Sequence, residues 1–305
     1  MSIFYGKYFQ KYIIYLENYK LLCYPFKLCH VCCIQYDTDK KIKDDERKGK
    51  YIMLLTDVAK VAEAAKNKAE LCNNHFGKYF MRAVMAGFYI VVATILSNVS
   101  AAVLYSTYPQ FGKLLGAFLF SLAIVLVVFL NGELFTGNNF VMAVGVYNKT
   151  VSVKDMVKVW VVSYVGNFVG AILLSAMFVY SKASHAIMVD YYNSFIYTKI
   201  SAGLPELLLK GILCNFLVCM AVLVGTKLKS ESGKLIIMFC IIMSFVVAGF
   251  EHCIANMSTF SIGYMLLGNI GTASVIKSMI VVTIGNILGG AVLLGVPVQV
   301  MKAEH

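Results

Sequence analysis

Within AGFEHCIANM (residues 248–257) the chain sets a carboxylate, an imidazole and a carboxamide close together: Glu251, His252 and Asn256. The stretch directly follows LIIMFCIIMSFVV, a run apolar enough for lipid to be its natural solvent. Polar groups buried at such depth are costly unless each finds a partner or water, so ionisable residues there mark a pathway. An imidazole titrates near ~6.5 when unperturbed and can take or give a proton at neutral pH. A second polar interruption, FLNGELFTGNNF (residues 129–140), carries Glu133, Thr136 and Asn138. Thr136 and Asn138 offer neutral hydrogen-bonding groups at one interruption, His252 and Asn256 at the other. This chemistry suits a small polar solute handled inside a membrane passage. Bulky apolar Leu134 and Phe245 flank the polar groups and are candidates for constrictions that close by dewetting.

The elements that must hold these residues are membrane helices. Hydrophobic residues make up 59% of the 305-residue chain and charged residues only 14%, where a soluble domain carries about 25% charged. The long apolar runs give the fold class: an all-α integral membrane protein. The formal charge of +11 lies largely near the N-terminus, beside membrane, where lysines meet lipid head groups; it does not imply nucleic acid. Six spans, each near the ~20 residues needed to cross hydrocarbon, are expected at about 79–104, 114–145, 156–181, 207–226, 234–260 and 274–300. The second and fifth are broken by the two polar interruptions. Backbone opened there must line protein or water, and the helix N-termini it creates favour an anion.

An internal repeat supports this organisation. SYVGNFVGA (163–171) matches VTIGNILGGA (282–291), which puts Asn167 and Asn286 119 residues apart; Glu133 and Glu251 are 118 apart. Halves of three spans each must be inverted relative to one another, an aquaporin-like arrangement in which paired broken helices meet at mid-membrane. Asn167 and Asn286 are expected to serve packing, their GN-x-x-G glycines permitting close helix approach. Glu133 and Glu251 are expected to brace the structure by capping the helix starts.

Lysines set the orientation. Loops at 146–158 and 226–234 hold three each, whereas 105–113 and 261–277 hold only Lys113 and Lys277. The positive-inside rule then places both termini in the cytoplasm of a cell whose plasma membrane the chain spans, with the loop 182–206 facing outward. Residues 1–52, ending in the mixed-charge run DTDKKIKDDERKGK, read as an extension dispensable to the core, with Met53 a plausible second start. Residues 53–78 hold an amphipathic cytoplasmic helix, 79–301 the six-span domain and 302–305 a short tail. CHVCC (29–33) lacks the second ligand pair of a zinc site, and the nine cysteines imply no disulfide framework. No metal or cofactor is expected.

Taken in order, FLNGELFTGN, GILCNFLVCMA and GFEHCIANM, with the GN-x-x-G pair, resemble the signatures of the formate/nitrite transporter family over about residues 55–301. By general likeness the hydrosulfide channel branch is nearest. Asn131 departs from the pattern, standing where the first motif usually has glycine. The resemblance implies a homopentamer with one pore per protomer, passing small monovalent anions (formate, nitrite or hydrosulfide) or their conjugate acids. It assigns the family's central histidine to His252 and the lysine before the fourth span to Lys199. It also puts the loop threonine at Thr136, the pore-lining asparagine at Asn215, and the two hydrophobic slits at Ile124, Leu134 and Phe245. The expected mechanism is attraction of the anion by Lys199 and the helix dipoles. A proton then comes from His252 directly or through water, and the acid crosses neutral.

Rival readings are weaker. An aquaporin-like channel for neutral solutes suits the repeat, but the paired Asn-Pro-Ala motifs are absent from a chain with only Pro25, Pro109, Pro205 and Pro297. A membrane enzyme with haem needs paired axial histidines, and His252 is the only histidine well inside a span. A partner-binding role for residues 1–52 has no motif behind it.

Overall fold

The computed structural model describes residues 57–268 and 270–302. The extension 1–52 with its cysteine cluster, and residues 303–305, lie outside the described residues.

Every described element is helical. The first, α1 (57–74), turns Val58, Val61, Ala62, Ala65 and Ala69 into protein, each at most 6% exposed. That stripe recurs at helical spacing, and its Val58, Val61, Ala65 and Ala69 share one apolar cluster with Tyr79, Phe140, Val141 and Val298. Next come α2 (Phe76–Leu104), α3 (Pro109–Phe120), α4 (Leu122–Phe129), α5 (Phe135–Tyr147) and α6 (Val153–Tyr180). The chain continues with α7 (His185–Ser201), α8 (Leu204–Lys227), α9 (Glu231–Val247) and α10 (Cys253–Leu267). It ends with α11 (Thr272–Ile287), a π-helical turn (Leu288–Leu294) and α12 (Gly295–Val300).

Among the described residues, five stretches are long and apolar enough to cross a bilayer: Phe76–Leu104, Pro109–Phe129, Val153–Tyr180, Leu204–Lys227 and Thr272–Val300. The stretch expected as a broken span at 234–260 is divided between α9 and α10, of 17 and 15 residues, with 248–252 non-helical between them. Likewise 130–134 are non-helical between α4 and α5. The outer face of α6 leaves Val161, Val165, Phe168, Leu173 and Met177 each at least 45% exposed, as lipid or a neighbouring protomer requires rather than water.

Two helix pairs form the frame. α2 lies against α6 so closely that a Cβ on Gly170 would strike the Val84 carbonyl. α8 lies against α11 and the π turn in the same way, with Gly289 on the Ile212 carbonyl. Only a residue without a side chain permits such backbone approach.

Three features differ from the sequence reading. The region 182–206, read as a loop, holds α7, which buries Met188, Tyr192 and Ile196 against Phe260 and Ile262 of α10. Ser121 interrupts the second expected span between α3 and α4. The last span contains a π turn, where one residue too many for α-helical spacing is accommodated.

Candidate functional site

The starts of α5 and α10 meet at the centre, each preceded by a non-helical segment. Helix starts leave backbone N–H groups without intrahelical partners, and here two buried asparagines supply them. Asn167 Oδ1 accepts from Phe135 N at 2.9 Å, while its Nδ2 donates to the carbonyls of Ala83 (2.8 Å) and Glu133 (3.0 Å). Asn286 repeats the set: Oδ1 accepts from Cys253 N at 2.9 Å, and Nδ2 donates to Gly211 (2.8 Å) and Glu251 (3.0 Å). The backbone N–H groups of Glu133 and Glu251 donate to the Arg82 and Lys210 carbonyls, at 3.1 and 3.3 Å. Asn167 and Asn286 therefore do more than pack. They also take over the capping expected of Glu133 and Glu251.

The two carboxylates hold side chains instead. Glu251 Oε2 accepts from Lys199 Nζ at 2.7 Å and from Asn256 Nδ2 at 2.8 Å, and Lys199 also donates to Asn256 Oδ1 at 3.0 Å. Glu133 Oε2 accepts from Lys68 Nζ at 2.6 Å and from Asn138 Nδ2 at 3.2 Å, and Asn138 also donates to the Tyr79 hydroxyl at 3.0 Å. Each half thus has a lysine, glutamate and asparagine joined together. Lys199 projects from the last turn of α7, its ammonium 5.5 Å from the Phe195 ring centroid, and its side chain is only 15% exposed. It is not a freely solvated loop charge.

Between the two groups, Thr136 Oγ1 and His252 Nε2 are 3.0 Å apart. His252 Nδ1 accepts from the Ala255 backbone N–H at 3.1 Å, capping α10. Because an amide N–H only donates, Nδ1 must carry the lone pair. In the neutral ring the proton therefore sits on Nε2 and is donated to Thr136. Phe245 stacks on the imidazole at 6.1 Å and 19°, and Phe120 meets Phe245 edge-on. Ile124, Leu134 and Phe245, each at most 5% exposed, belong to one apolar cluster. Asn215 Nδ2 donates to the carbonyls of Thr136 (3.1 Å) and Asn286 (2.6 Å).

A cavity of about 500 Å³ opens on the α7 side; Lys199, Lys113, Asn98, Tyr191, Phe245 and His252 are among its lining. Burial, and secondarily Tyr105 beside it, pushes the Tyr191 phenol up to about 12, so its hydroxyl stays protonated well into alkaline pH. Neither Thr136 nor Asn215 lines the cavity; both are fully buried beyond its floor. Asn131 takes φ 53, a left-handed conformation that asparagine tolerates better than most residues in place of glycine.

The structure brings His252, Thr136, Leu134, Phe245, Ile124 and Asn215 to the centre. It sets Lys199, Glu251 and Asn256 on one side and Glu133 on the other. Sequence reasoning missed Lys68, Tyr79 and Phe120. Lys68 was legible only as part of the polar face of α1, with nothing to tie it to Glu133, 65 residues away.

Known proteins resemble this chain in sequence and in fold. The model of the family described as formate/nitrite transporter matches residues 56–300. A formate channel, FocA of Haemophilus influenzae, is 30% identical over 249 residues, covering 74% of this chain and 87% of its own. Among solved structures, an FNT family ion channel superposes with a TM-score of 0.74 at 26% identity, over 79% of this chain and 97% of that one. A pentameric formate channel with formate bound does so with 0.63 at 28%, over 73% and 96%. With five apolar helices of spanning length, the chain is a multi-pass membrane protein, and it belongs to the formate/nitrite transporter family.

Proposed function

We propose that the chain forms a homopentameric plasma-membrane channel for the small monovalent anions formate, nitrite or hydrosulfide, one pathway per protomer. The observation that carries this reading is the cavity that leads past Lys199 and ends on His252, with Thr136 3.0 Å beyond. The formate channel among its relatives and the pentameric neighbour support the substrate class and the assembly.

In this reading α9, residues 248–252 and α10 make a crossing together, as do α3, α4, 130–134 and α5, giving six crossings in two inverted halves. The matching hydrogen bonds of Asn167 and Asn286 favour that repeat. The loop lysines favour cytoplasmic termini, so the α7 cavity faces outward.

Lys199 draws the anion in, and its partners Glu251 and Asn256 hold the ammonium in place. At the Phe245, Leu134 and Ile124 constriction a bare anion is costly, because water is excluded there. The anion therefore takes up a proton and crosses as the neutral acid. Direct donation by His252 requires a second proton on Nδ1, which breaks the cap to Ala255. A proton carried by cavity water keeps that bond, and the geometry favours it; neutral His252 and Thr136 then pass the acid by hydrogen bonding. Asn215 fixes the Thr136 carbonyl.

The test is flux of each anion into proteoliposomes across pH, for wild type and His252→Ala. Formate or nitrite uptake that rises as pH falls, and that His252→Ala lowers, is expected. Liposomes that swell in glycerol while taking up none of the three anions overturn the reading in favour of a neutral-solute channel.

A further inference from the structure

Asn139 is left over from every network described above. It lies one helical turn beyond Thr136 in α5 and is fully buried, yet neither its Oδ1 nor its Nδ2 has a hydrogen-bond partner among the described residues. Its neighbour Asn138, by contrast, donates from Nδ2 to both Glu133 and Tyr79. A buried carboxamide with both ends unmet is rare and calls for a partner from outside the protein's own atoms. Inside a membrane that demand is stronger still. Nor does the fold need an amide here: the residue 118 positions later, at the matching place in α10, is Met257, which is also buried.

The surroundings are polar. The Asn139 side chain packs on Gly290 in the π turn, where an added Cβ would lie 3.2 Å from Asn139 Cβ and 2.8 Å from both Asn215 Nδ2 and Cys219 Sγ. Asn215 and the Cys219 thiol both point at the Thr136 carbonyl, at 3.1 and 3.4 Å. Asn139 thus lies one turn along α5 from Thr136, the residue that touches His252, and does not line the cavity. π turns in helices are frequent at functional sites, and here one supplies the bare glycine face against which the amide rests.

Resting on the channel reading above, we propose that Asn139 is a specificity-determining contact for the permeant in its neutral form. A carboxamide offers one donor and one acceptor side by side. A neutral oxyacid matches both, its hydroxyl donating to Oδ1 and its second oxygen accepting from Nδ2. The conjugate anion, an acceptor only, would face Oδ1 with like partial charge. Asn139 therefore receives the acid after it leaves Thr136 and disfavours the anion.

The test is formate and nitrite uptake by proteoliposomes holding the full chain as Asn139→Leu, Asn139→Met or Asn139→Gln, with thermal unfolding and pentamer content measured alongside. Loss of a paired hydrogen-bonding site predicts about tenfold lower uptake for the Leu and Met variants, with unfolding temperature unchanged or raised. The Gln variant, which keeps the amide, retains more than half. Wild-type uptake by the Leu or Met variant overturns the proposal. So does a fall in uptake that tracks a fall in unfolding temperature in both, since that marks packing. A wild-type chain that carries neither solute above protein-free liposomes strikes the channel reading itself, and this proposal falls with it.

Discussion

Thr136 and His252 come from helices whose starts are more than a hundred residues apart in sequence, yet Oγ1 and Nε2 lie 3.0 Å from one another at the centre of the molecule. The contact joins the first turn of α5 to the cap of α10. It also fixes the imidazole tautomer, because the other ring nitrogen accepts from Ala255.

Thr136→Val removes the acceptor while nearly keeping shape. The buried Nε2–H is left unpaired, a loss of about 1–3 kcal/mol. Thermal unfolding of the purified protein should show Thr136→Val destabilised and Thr136→Ser close to wild type. Equal stability of all three forms would mean that the ring has another partner.

Lys199 and Glu251 form a largely buried pair, with side chains 15% and 8% exposed. Removing one member of such a pair leaves the other charge uncompensated, at a cost of about 3–5 kcal/mol. Lys199→Met should therefore be poorly stable, and Lys199→Met with Glu251→Gln should regain much of the loss. Anion uptake should not return in the double variant, because the attracting charge is gone. Restored uptake there would reduce Lys199 to a structural brace.

Asn167 and Asn286 make the same three hydrogen bonds in their two halves. Asn167→Leu and Asn286→Leu should each lower stability by more than about 2 kcal/mol, since every variant orphans the N–H at a helix start and the carbonyl of Glu133 or Glu251. Equilibrium unfolding should give comparable losses for both. A large effect in one half and none in the other would show that the matched geometry is not matched in energy.

Asn131 at φ 53 is a simple backbone test. Asn131→Gly relieves left-handed strain, and Asn131→Ala increases it by about 1 kcal/mol. Thermal unfolding should rank the three as Gly, Asn, Ala from most to least stable; Ala above Asn would rule out the strain.

Much of this was legible in the sequence, and the rest was hidden for physical reasons. The stripe from Val58 to Ala69 shows helical spacing and is buried as a stripe. The polar interruptions stand out because their surroundings are so apolar, and both coincide with non-helical backbone. The α7 helix was missed because its HAIMVDYYNSFIYTKIS mixes polar and aromatic residues without a strong apolar period. Only packing on α10 makes it a helix and carries Lys199 to Glu251. The capping by Asn167 and Asn286 was hidden because each reaches a helix start 32 or 33 residues away in the chain. The π turn leaves no mark in composition at all.

The asparagine ties also limit how the passage can open. Each one rivets a helix start, and the segment just before it, to a carbonyl on a neighbouring rod, so neither α5 nor α10 is free to slide lengthwise. Opening is left to the rotation of rings and branched side chains around a rigid axle. A gate of that kind would act locally, so in the proposed pentamer no protomer would need its neighbours to move with it.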